Sequence, residues 1–121
     1  HDEPASACVR LGAELGDSGV RTALLVVGDG SARRSLKAPG YLDARAAGFD
    51  AEVERAVRAG DLDALRRLDA ALARDLMATG RPAWQVVAGA LGSLAPAGEI
   101  LYSDDPFGVA YLVAYLSPGY K

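Results

Sequence analysis

The stretch Val20-Arg21-Thr22-Ala23-Leu24-Leu25-Val26-Val27 places the tightest constraint on the fold. Its later positions are apolar without alternation and β-branched towards the end. That pattern predicts a strand buried on both faces, as in an α/β sheet covered by helices. Gly28-Asp29-Gly30-Ser31-Ala32-Arg33-Arg34-Ser35 follows at once. In open α/β sheets ligands bind outside the carboxyl ends of strands, so this loop is the candidate site. Two glycines let backbone N–H groups face an anion, and arginines can neutralise it. Gly28, Asp29, Gly30, Ser31, Arg33 and Arg34 are therefore the candidate ligand-binding residues. The loop is not a P-loop, since no Gly-Lys-Ser/Thr follows, and it lacks the third glycine and opening helix of a dinucleotide fingerprint. The competing reading is a tight turn whose arginines pair with nearby carboxylates.

The rest of the chain predicts helices around a small sheet. Pro4–Leu15 has helical apolar spacing, interrupted by Gly12 and closed by Gly16-Asp17-Ser18-Gly19. Lys37–Gly48 contains Pro39-Gly40 and reads as a long ordered loop. Phe49-Asp50 opens a helix with Asp50 as its N-cap, ended by Gly60. Asp61 caps the next, with Leu62, Leu65, Leu68, Leu72 and Leu76 as one stripe ending before Gly80. Pro82–Leu91 forms a third, with Trp84, Val87 and Leu91 facing inward and Ala88-Gly89-Ala90 permitting close approach. Glu99–Tyr102 and Val109–Leu116 are strands joined by the turn Ser103–Gly108, hence antiparallel. The expected architecture is α/β, a small mixed sheet packed by helices, as part of a larger three-layer domain. Three strands are thin cover for so much apolar surface. That predicts strands from a missing N-terminal half or from a partner chain, with residues 1–121 forming a single domain or the C-terminal half of one.

Composition excludes several function classes. With 13 basic and 16 acidic residues and net charge −3, there is no basic footprint for nucleic acid. No apolar run reaches the roughly 18–20 residues that span a bilayer, so no membrane association is expected. One cysteine, Cys8, precludes an internal disulfide framework and fits a cytoplasmic setting, where it reads as an inert buried thiol. The one histidine is His1, so Ser31 lacks an internal histidine base, and only a Ser31–Lys37 pair would remain for hydrolysis. Asp104-Asp105 is a metal pair or, more commonly, a solvated turn. Tyr102, Tyr111 and Tyr115 occupy strand positions, and Trp84 reads as a helix-to-sheet anchor.

The unit Leu24-Leu25-Val26-Val27-Gly28-Asp29-Gly30-Ser31, preceded by Leu11-Gly12, resembles the class III extradiol ring-cleavage dioxygenase superfamily. This is the family of the catalytic B subunit of protocatechuate 4,5-dioxygenase, an aromatic ring-opening enzyme. The Phe49-Asp50 helix start and Gly60-Asp61 break are similar to its pattern. Gly28–Gly40 and Trp84-Gln85-Val86-Val87-Ala88-Gly89-Ala90 resemble actinobacterial members. The resemblance implies the second half of a longer domain. The family loop reads Ser-Gly-Ser-x-x-His-Asn; its histidine falls here at Arg34 and its asparagine at Ser35, and no His stands at Thr79–Pro82. Ring opening needs Fe(II) on two His and a carboxylate, plus an acid/base. The resemblance therefore implies no cofactor held by this segment, with Fe(II) or Zn only where the upstream half supplies ligands. It implies that this chain alone is inactive, with a cleft at Gly28–Arg34 for a small anionic or aromatic ligand. The alternative is a non-enzymatic anion-binding or scaffold module using Arg33 and Arg34.

Overall fold

The computed structural model describes residues 3–17, 23–94 and 96–117. Its order is α1 (Ala5–Gly16), α2 (Ala46–Ala59), α3 (Leu62–Arg66), α4 (Ala70–Asp75), α5 (Arg81–Leu91), β1 (Ala97–Asp104) and β2 (Tyr111–Ser117). The two strands form an antiparallel sheet packed against helices, a small mixed α/β fold. Ile100, Leu112 and Leu116 carry the sheet's inner face onto a core built from α2 to α5, centred on Phe49, Val53, Leu65, Leu76 and Ala88. Among the described residues no helix is long and apolar enough to cross a membrane.

Glycines set the closest helix contact. A Cβ at Gly12 would run into the Val86 carbonyl, and one at Gly89 into the Val9 carbonyl, so α1 and α5 cross with their backbones nearly touching. The break in apolar spacing at Gly12 is thus the contact itself, and the Ala88-Gly89-Ala90 stretch approaches a helix. Gly60 ends α2 in the left-handed region at φ 68°, and the Asp61 carboxylate accepts from Ala64 N–H to open α3.

Four expectations need correction. Residues 23–27 join no sheet, and Leu25 is 93% and Val27 78% exposed; the Val20–Thr22 part lies outside the described residues. A groove lies between this run and β2, so among the described residues its backbone pairs with no strand. The second helix begins at Ala46, where Asp43 accepts from Arg45 N–H, so Asp50 lies inside the helix and its carboxylate serves elsewhere. The leucine stripe is cut in two at residues 67–69, because Asp69 starts a new helix by accepting from Ala71 and Leu72 N–H. The inward face of α5 is led by Arg81, Gln85 and Ala88, with Trp84 and Leu91 half-buried.

Gln85 explains the cut stripe. Its Nε2 shares its two N–H groups among the carbonyls of Leu65, Arg66 and Leu68 where α3 ends, and of these only Leu65 O also accepts from its own turn, at Leu68 N–H. In exchange, Arg66 Nη2 donates to the carbonyls of Ala88 and Gly92, closing the end of α5. Each helix caps the other.

Candidate functional site

The candidate loop runs from the end of the unpaired apolar segment across the N-terminus of α5, the body of α2 and the hairpin. Gly28 meets Gly80 so closely that a Cβ would strike its Cα, and the Asp29 carbonyl accepts from Gly80 N–H at 2.8 Å. Gly30 N–H donates to Ala110 O at 2.9 Å, and Ala110 N–H to Ser31 O at 2.8 Å. Arg34 N–H donates to Gly108 O at 3.1 Å. Loop numbers rise as hairpin numbers fall, so the two segments are antiparallel.

Asp50 sits beneath the loop. Its Oδ1 accepts from Ser31 N–H at 2.9 Å, and its Oδ2 accepts from Ser31 Oγ at 2.5 Å and Arg34 Nη1 at 3.2 Å. Arg34 Nε pairs with Asp105 on the hairpin turn at 3.1 Å. Ser31 is fully buried, and Arg34 keeps 29% of its side chain exposed. Arg33 points elsewhere, donating from Nη1 to the Asp75 carbonyl at 2.9 Å. The N–H of Ala32 goes to Leu76 O. The N–H groups of residues 30, 31, 32 and 34 are therefore all engaged by protein acceptors, and Arg34 stands between two carboxylates.

A cleft of about 440 Å³ opens beside this network, lined by Arg34, Asp50, Glu54, Arg58, Ser103 and Tyr111 among others. Ser103 Oγ donates to Glu54, which also accepts from Arg58. These contacts, the serine hydroxyl first, hold the Glu54 carboxyl below its ordinary range. Glu54 and Ser103 carried no motif signal; only the hairpin's docking on α2 brings them together. Asp104 accepts from Asp105 N–H, and both aspartates belong to the hairpin's turn side of the cleft. Cys8 is buried, and its basic neighbour is Arg81, whose Nη1 lies 3.9 Å from the sulfur.

Among the described residues no three His, Cys, Asp or Glu side chains are grouped to hold a metal ion. In the candidate loop Arg34 is a permanent cation whose guanidinium offers a metal no lone pair. His1 lies outside the described residues. Compared with known proteins, the chain matches no family profile, no curated protein and no solved structure.

Proposed function

We propose that this chain is a ligand-binding module of the extradiol-dioxygenase-like kind that does not open aromatic rings with its own residues. The observation that carries this reading is the placement of Arg34 at the cleft. Asp50 fixes one side of its guanidinium, Asp105 takes Nε, and Nη2 belongs to neither ion pair. Holding a guanidinium in place lowers the entropy cost of the next partner it takes. Asp105 is one-third exposed on a turn, so a ligand carboxylate can replace it and engage Nε and Nη2 together, the bidentate geometry such forks favour. Ser103 and Tyr111 add hydroxyls for a polar or hydroxylated ring. A small aromatic carboxylate fits this chemistry.

The test is calorimetric titration with benzoate and protocatechuate. Saturable binding that weakens by about tenfold in Arg34→Ala is expected. Unchanged affinity in that variant removes Arg34 from the site. Ring opening of protocatechuate by the chain, supplied with Fe(II), would overturn the non-catalytic half of the proposal. A scaffold reading, with Arg33 and Arg34 serving structure alone, is favoured by one observation: the N–H donors of residues 30, 31, 32 and 34 are spent inside the protein. It predicts no saturable binding of either acid and a lower stability for Arg34→Ala.

A further inference from the structure

Residues 23–27, Ala-Leu-Leu-Val-Val, make no backbone hydrogen bond among the described residues. Among the described residues β2 pairs with β1 alone, leaving its other edge open. These two unpaired lines of backbone are joined at the Gly30–Ala110 pairing and both line a groove of about 650 Å³. The floor is apolar, with Leu15 of α1 and Trp84, Val87 and Leu91 of α5. Among the described residues, none that lines the groove carries a charge. An unpaired strand edge is a template for another strand, and here two such rows line one groove whose described residues carry no charge.

We infer that this groove receives an extended, uncharged β-strand of a partner polypeptide, inserted between residues 23–28 and β2 and hydrogen-bonded to both. A helix or a lipid chain fills apolar space but satisfies neither row of backbone, because a helix spends its N–H and C=O groups internally and a lipid chain has none. Alternate side chains of the inserted strand reach the helical floor and must be apolar. Leu25, Val27, Val113 and Tyr115 are all exposed, so the opposite row meets apolar neighbours as well. The occupant is therefore Val/Ile/Leu-rich on both faces.

The experiment uses the chain with a probe peptide, acetyl-KVIVTVK-amide, followed by fluorescence anisotropy and amide hydrogen exchange. Saturable binding is expected, with exchange slowed by about tenfold or more at residues 23–27 and along β2 together. Leu25→Lys, at a nearly fully exposed position, and Ala114→Lys, on the β2 wall, should each weaken binding by about tenfold. Leu25→Lys retains the test where Ala114→Lys fails to fold. Absence of saturable binding up to about 1 mM overturns the proposal, as does binding that protects neither wall. Light scattering that shows a dimer with both walls protected without peptide overturns it in favour of self-association. Protection of both walls in the free monomer overturns it in favour of residues 23–27 closing directly onto β2.

Discussion

Asp50 meets three donors with two oxygens, and the loop, helix α2 and the hairpin come together through it. Its side chain is 8% exposed, so its loss leaves Ser31, itself buried, without partners for N–H and hydroxyl. Asp50→Ala is expected to cost about 2–4 kcal/mol, read as a lower urea midpoint at unchanged slope. Asp50→Asn should cost less, because an amide oxygen still accepts one of the three bonds. Gly28 to Arg34 was legible as a special loop from its glycines and arginines. That its carboxylate partner would be Asp50 was not. Taken alone, Asp before a helical stretch reads as a cap, and only the docking of α2 under the loop, 19 residues away, shows otherwise.

At the level of elements, local chemistry was readable and long-range chemistry was not. Gly60-Asp61 announces a stop and a start, and both occur there, since a left-handed residue and a side-chain cap are decided within a few positions. The five-leucine stripe reads as one helix because every leucine obeys the period. It breaks because Gln85, some twenty residues on, supplies donors for the carbonyls the break exposes. Gln85→Leu should therefore destabilise by about 1–3 kcal/mol despite adding an apolar side chain to a buried site. The α1–α5 crossing gives the opposite test. Gly89→Val puts branched carbons against the Val9 carbonyl, and a loss of at least about 1–3 kcal/mol is expected in thermal or urea melts.

At the scale of the molecule, exposed carboxylates sit next to arginines from Asp43 through α2 to the end of α3. Arg45 donates to Asp43 and pulls it from its ordinary 3.8 to about 2. Glu52 is lowered by Arg55, Glu54 by Ser103 and Arg58, and Asp61 by Ala64 N–H and Arg55. A folded pKa below the unfolded one means that the unfolded chain binds more protons as acid is added. The Asp43 contribution is complete above about pH 4 and disappears as pH falls towards 2. The urea midpoint should hold steady from neutral pH to about 5 and decline below about 4, with salt blunting the decline at these exposed pairs. Repeating the titration with Asp43→Asn should show a shallower acid limb.

The exchange of caps between α3 and α5 ties two helices into one kinetic unit. Five residues are far too few to hold a helix in water unaided, where about 12–15 are marginal. Until α5 arrives, the carbonyls of Arg66 and Leu68 have only solvent and that of Leu65 only its own turn, so α3 has little reason to persist. Folding should then show α3 ordering only as α5 docks, with substitutions at Asp61 changing the unfolding rate far more than the folding rate. In the native protein the amides of both helices should open to exchange together, at one rate, because neither end can fray without uncapping the other.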